Sequence, residues 1–223
     1  MEFIIQNFFN LGIMQQAFPF LLRGFGMTLL LVVLVIPIGC MGGLTVALAG
    51  QAKSPVIRWA TVVYVDFFRA FPPLVLLIFL FAGLPFAGID LPNIASVAIA
   101  FLLNTSAYYG EVFRAGLESV GKGQTEAARS TGLSSLQTTA YVILPQAVRN
   151  VLPDLVSNTL EVAKLTSLAS VVALPELLYS ADMARSVTFN ATPIVMAAGF
   201  YLVLLWPMVR LLSRLEHRAM ASR

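Results

Sequence analysis

Hydrophobic and polar positions in this chain separate into long blocks, not into the alternating faces of soluble helices or strands. Met27 to Ala49, Ala70 to Ile89, Leu91 to Gly110 and Ala191 to Val209 contain no Asp, Glu, Lys or Arg. Leu155 to Pro175 is apolar except for Glu161 and Lys164. About 20 apolar residues make a helix long enough to cross a bilayer, so the pattern predicts five membrane spans. Pro72, Pro73 and Pro85 predict that the second is kinked or irregular near its ends.

One polar stretch interrupts the blocks, from Arg114 to Pro153. Thr125 is placed to cap a short helix through Glu126, Ala127, Ala128 and Arg129, with Glu126 in the first turn where the helix dipole favours it. Gly132 suits a helix terminator. Ser134 and Gln137 have the spacing of a capping box opening a second helix, expected to end near Leu144, before Pro145. This predicts a compact helix-turn-helix, small and Ala-rich at its tip, that can fit a partner's groove or simply connect two spans.

Composition agrees with the pattern. Of 223 residues, 58% are hydrophobic and 11% charged, with mean hydropathy +0.84. A soluble domain carries about a quarter of its residues as charges, so much of this surface must face lipid. Cys40 is the sole cysteine and His217 the sole histidine, which excludes an internal disulfide and a zinc site. Cys40 reads as a small buried helix residue and His217 as a solvated tail residue. The first twenty residues lack a basic start and cleavage site; Phe3, Ile4, Phe8 and Phe9 mixed with Gln6, Asn7 and Asn10 suit a segment at the membrane interface.

The basic residues orient the spans. Lys53, Arg58 and Arg69, then Arg114, Lys122, Arg129 and Arg149, then Arg210, Arg214, Arg218 and Arg223 fall on one side, and only Arg23 and Arg185 on the other. The positive-inside rule puts the N-terminus outside and the C-terminus in the cytoplasm. The expected fold is thus an all-α, polytopic bundle of five transmembrane helices in one domain, residues 1–223, with a cytoplasmic insertion at about 115–153.

Several residues are candidates for chemistry. Charges near mid-membrane cost at least ~2.5 kcal/mol each on insertion scales and face a bundle interior or aqueous cavity. Glu161 and Lys164, at i and i+3, can pair on one helical face. They read either as a neutralised structural pair or as pathway residues meeting a solute's amine and carboxylate. Tyr108, Asn158, Thr166 and Ser167 are further pathway candidates, each also explained by interhelical hydrogen bonds, the reading favoured for Asn104. Gly39 and Gly43 form a G-x-x-x-G suited to close helix packing. Asp66 and Arg69 read as a surface pair or one flanking a gate. Gly116 to Gly123 misses a phosphate-binding loop at its last position, where Gly123 replaces the magnesium-holding hydroxyl, and a span precedes it instead of a strand. No ATP site is expected in this chain.

Specific segments carry a resemblance. Glu126, Ala127, Ala128, then Gly132, then Ile143, Leu144 and Pro145 resemble the EAA loop of ABC-importer permeases. Ala107 to Gly116 (AYYGEVFRAG), Lys164 to Leu168 (KLTSL) and Tyr64 to Pro72 (YVDFFRAFP) resemble segments of the polar amino-acid subfamily. The likeness runs from about Thr28 to the C-terminus. Leu165 stands where the subfamily has Asp, Ala70 and Phe71 replace Gly-Thr, and Pro73 stands where Leu is common, so the solute does not transfer from other members. The resemblance implies a permease subunit in a bacterial inner membrane, importing a polar amino acid or opine. Its expected partners are two ABC ATPase subunits holding ATP and Mg, an extracytoplasmic solute-binding protein and a second permease, identical or a sister chain. It implies no cofactor of its own, no catalytic residue, no metal and no nucleic-acid partner. Glu126, Ala127, Ala128, Gly132, Leu144 and Pro145 would couple to the ATPase. A self-sufficient secondary transporter and a non-transporting scaffold are the alternatives; the first lacks the paired broken helices of inverted repeats, the second leaves the EAA segment unexplained.

Overall fold

A computed structural model of the chain describes residues 2–221, with side chains through Glu216; the expectation for His217 lies outside the described residues, as do the Arg218 side chain and Arg223. Every element among the described residues is helical. Helix α1, Glu2–Phe8, is followed by α2, Leu11–Gly50, whose 40 residues span about 60 Å at 1.5 Å per residue. The first apolar block is therefore only part of a longer helix, which runs through Pro19 and Pro37.

Helix α3, Pro55–Ala70, stops where Phe71 turns extended at ψ 126°, a conformation imposed by the following Pro72. After α4, Pro73–Ile78, come a π-helical turn, Phe79–Gly83, and a 3-10 turn, Leu84–Ala87, closed by Gly88 at φ +78°. The expected irregularity of the second block falls at a 97° bend before Pro73 and over residues 79–88, on either side of a regular turn of α-helix. Helix α5, Asn93–Glu118, is continuous.

In the polar stretch, α6 covers Lys122–Ser130 and α7 Ser135–Gln137, followed by a π-helical turn, Thr138–Ile143, and α8, Leu144–Asn150. Two expectations need correction. Thr125 does not cap α6: the helix begins three residues earlier, after Gly121, and Thr125 lies inside it. The second helix does not end near Leu144. Its π turn lets the Leu144 N–H reach back to the Thr139 carbonyl, and the wide turn accommodates Pro145 within the helix. The same device precedes Pro85, where the Leu84 N–H donates to the Phe79 carbonyl.

The fourth block is also not one α-helix. Helix α9, Leu152–Leu165, tightens into a 3-10 segment, Thr166–Val172, which ends at Ala173 with φ +55°. Helix α10, Leu177–Thr188, resumes at a 48° bend. Helix α11, Thr192–Ala221, closes the chain. By length and apolarity two helices qualify as spans, or four if each of the two bent pairs counts as one. The fold is a helical membrane bundle.

The chain divides into two compact units. In the first (residues 1–36, 73–101 and 160–209), Ala17 and Leu21 of α2 pack with Leu177 and Ala181 of α10 and Ala197 of α11, and the Phe25 and Phe200 rings meet at 5.1 Å. The N-terminal segment is tied to the start of α11: the Asn190 amide donates to the Gln6 carbonyl at 2.8 Å, and the Ala191 N–H to that of Asn7 at 3.0 Å. Phe3, Ile4, Phe8 and Phe9 are exposed, as an interfacial segment requires. In the second unit (residues 37–72, 102–159 and 210–223), Gly39 and Gly43 face α5 so closely that a methyl on Gly43 would stand 2.7 Å from the Gly110 nitrogen. Close packing is what this G-x-x-x-G does. Cys40 is half-buried.

Candidate functional site

The polar stretch is a clamped hairpin. Gly132 sits at φ +88°, the left-handed geometry that ends α6 without strain only for glycine. The capping box forms: the Gln137 N–H donates to Ser134 Oγ at 3.3 Å, and the Ser134 N–H to Gln137 Oε1 at 2.8 Å. Arg129 Nη1 closes the turn by donating to the Leu133 carbonyl at 2.6 Å. Gln146 Nε2 reaches Gln124 Oε1 at 3.3 Å, joining α8 to α6. Asn150 Nδ2 donates to Ser119 Oγ at 2.8 Å, and Gly116 lets α5 approach the Ala147 carbonyl. The hairpin is thereby fixed to the end of α5.

The six coupling candidates divide by exposure. Glu126, Ala127, Gly132 and Pro145 are exposed and Leu144 half-buried, whereas Ala128 is buried and holds the hairpin from within. Leu136 and Tyr141, which sequence reasoning passed over, are 79% and 73% exposed on the same hairpin. At its base, Arg114 bonds both Glu111 and Glu118. Its guanidinium holds the Glu111 carboxyl below the usual carboxylate range.

Of the pathway candidates, the structure joins Glu161 and Lys164, with Nζ 2.7 Å from Oε1. Both are exposed, while Leu160, Val162 and Ala163 fill the buried face of α9. Asn158, one turn earlier on the same strip, has a buried amide nitrogen with no partner. Thr166 and Ser167 spend their hydroxyls on their own helix, donating to the carbonyls of Ala163 at 2.7 Å and Lys164 at 2.8 Å. Thr166 is wholly buried. Tyr108, 39% exposed, donates to the Arg69 carbonyl at 3.3 Å, and the Arg69 guanidinium lies 5.6 Å from its ring centre. Among the described residues Arg69 forms no ion pair with Asp66, contrary to either expectation for them. Asn104 is buried and donates to the Phe68 carbonyl at 3.0 Å, an interhelical bond as expected. Glu176, unremarked in the sequence, is fully buried between Pro175 and Leu177. Among the described residues no three His, Cys, Asp or Glu side chains group to hold a metal.

Residues 39–220 match the family described as binding-protein-dependent transport system inner membrane component. The probable glutamine ABC transporter permease GlnM of Bacillus subtilis is 36% identical over 210 residues, covering 94% of this chain and 97% of that protein. The L-cystine transport system permease TcyB of the same organism is 36% identical over 208 residues, covering 92% and 87%. A chain in the crystal structure of an amino acid ABC transporter with histidines superposes with a TM-score of 0.82 at 34% identity, covering 92% of this chain and 96% of that one. The inward-facing MetNI methionine ABC transporter shares the fold, with a TM-score of 0.73 at 17% identity. With its helical spans, its hairpin and these relatives, the chain belongs to the inner membrane components of binding-protein-dependent transport systems, as the membrane-spanning permease subunit of an ABC importer.

Proposed function

We propose that this permease carries a polar amino acid across a bacterial inner membrane and draws its energy through the hairpin of residues 122–150 from ATPase subunits that bind it from the cytoplasm. The carrying observation is the hairpin itself. Its second helix opens with a capping box, it is clamped to α5, and it exposes Leu136 and Tyr141 as well as Glu126 and Ala127. Such a rigid projection transmits displacement to the spans instead of absorbing it. Relatives named for glutamine and cystine support the solute class. Five spans, with α5 as the third and the N-terminus outside, fit the charge distribution best. ATP and Mg belong on the ATPase partner, a solute-binding protein delivers from outside, and a second permease completes the pathway.

The exposed pair Glu161 and Lys164 supports a pathway between two permeases. An ion pair facing away from its own chain at membrane depth needs water or another protein around it, because hydrocarbon solvates neither charge. Neither a secondary transporter nor a scaffold accounts for the family membership.

Leu136→Ala and Gly132→Val test the coupling. Removing the Leu136 side chain should weaken ATPase binding by about tenfold, the scale of one buried leucine. Valine at φ +88° costs about 1 kcal/mol or more in backbone strain and should reduce transport per ATP in proteoliposomes. Wild-type ATPase affinity and coupling in both variants would reject the hairpin as the contact.

A further inference from the structure

We infer that Glu176 is a positioning residue that anchors α10 to α2 and α11, so that the segment 166–175, a 3-10 run through Val172, serves as the joint about which α9 moves during transport. The inference uses only the chain's role as a transport subunit and stands whichever solute is carried.

Glu176 is 0% exposed and adjoins Leu177, which belongs to the buried apolar core of this unit. Its carboxylate gathers donors from three helices. Oε1 accepts the Tyr179 N–H of α10 at 2.7 Å. Oε2 accepts the Tyr201 hydroxyl of α11 at 3.0 Å and shares the Thr28 hydroxyl proton of α2 with the Gly24 carbonyl, each 3.3 Å from Thr28 Oγ1. Thr28 Oγ1 in turn accepts the Leu177 N–H at 3.1 Å, so two free N–H groups of the first turn of α10 are satisfied within one cluster. Gly24 completes the fit: a methyl there would stand 2.8 Å from the Glu176 carbonyl. Capping α10 alone needs only the bond to Tyr179. The bonds to Thr28 and Tyr201 serve to fasten α10 to its neighbours.

The segment just before this anchor has the opposite character. Thr166–Val172 is a seven-residue 3-10 run, longer than the three or four residues usual for that poorly bonded geometry. It ends at Ala173, a non-glycine residue at φ +55°, followed by Pro175, which donates no hydrogen bond. Asn93 Nδ2 holds the Val172 carbonyl at 2.7 Å. This strained stretch joins α9, which bears Glu161 and Lys164, to the triply anchored α10, and a change in the angle between the two helices falls on it.

The assembled transporter, with its ATPase, can be spin-labelled at exposed Leu22 of α2 and Val187 of α10, or at Leu22 and Ser157 of α9. Distances are measured nucleotide-free and trapped with ATP and vanadate. The first distance should be unchanged and the second should shift. Glu176→Gln keeps the size and one acceptor but puts an amide donor against the two hydroxyls. It should broaden the Leu22 to Val187 distance and lower transport per ATP about tenfold, within the range of allosteric coupling; Tyr201→Phe, which removes one bond, should do so less. If Glu176→Gln does not assemble, Tyr201→Phe and the wild-type distances carry the test. The inference is overturned if the Leu22 to Val187 distance shifts as far as the Leu22 to Ser157 distance in the wild type. It is also overturned if Glu176→Gln loses thermal stability but keeps wild-type transport per ATP.

Discussion

Tyr109 and Thr159 share a hydrogen bond whose direction is determined. Their hydroxyl oxygens are 2.7 Å apart, and Thr159 Oγ1 also donates to the Leu155 carbonyl at 2.7 Å. Threonine has one hydroxyl proton, so Tyr109, 1% exposed, must donate to Thr159. This bond joins α5 to α9 within the second compact unit. Tyr109→Phe removes donor and hydroxyl together and should cost about 0.5–1.5 kcal/mol. Thr159→Val leaves the buried phenol without an acceptor and should cost more, about 1–3 kcal/mol. Thermal unfolding in one detergent ranks the two, and the reverse order would show that the phenol finds another acceptor.

Glycines that look equivalent in sequence should respond in opposite ways. At Gly43 a methyl would meet the Gly110 nitrogen at 2.7 Å and the Tyr109 carbonyl carbon at 2.8 Å. Backbone cannot rotate aside, so Gly43→Ala should destabilise by about 1–3 kcal/mol. At Gly123, inside α6, nothing lies within 4 Å. There Gly→Ala should stabilise by about 0.5–1 kcal/mol through helix propensity. The comparison needs only melting temperatures, and equal shifts would reject the close approach of α2 to α5.

Lys164→Met with Glu161→Gln separates the two readings of that ion pair. Lys164→Met alone leaves Glu161 without its cation and should reduce stability. If the pair serves only the fold, the double variant recovers stability and transport together. If it lines the pathway, the double variant assembles with its partners but fails to carry solute. The pathway reading expects the second result; transport at the wild-type rate by a well-assembled double variant would reject it.

The helical membrane character, the polar insertion, its capping box and its glycine stop were legible because each depends on residues close together in sequence. A charge-free block of about 20 residues has few ways to satisfy its backbone outside a membrane helix. Ser134 and Gln137 meet within one turn, and Gly132 ends a helix for reasons internal to its own backbone. The ion pair of Glu161 and Lys164 followed from i, i+3 spacing in the same way.

Where simple local rules misled, either an unusual turn or a distant partner was the reason. Pro145 ordinarily stops a helix, but a wider turn just before it carried the helix through to Asn150. Arg69 turned from Asp66 to the Tyr108 ring, 39 positions away in the chain. Glu176 is the clearest case. By sequence it is one carboxylate beside a proline, and nothing local says that Thr28, 148 residues away, and Tyr201, 25 residues away, will supply its donors. A buried charge is tolerated only where enough donors converge, and that convergence depends on how α2, α10 and α11 pack. Apolar blocks and local spacing therefore determined that these segments are helical and where the Ser134 capping box and the Gly132 stop fall, while tertiary packing decided which distant polar groups meet inside the bundle.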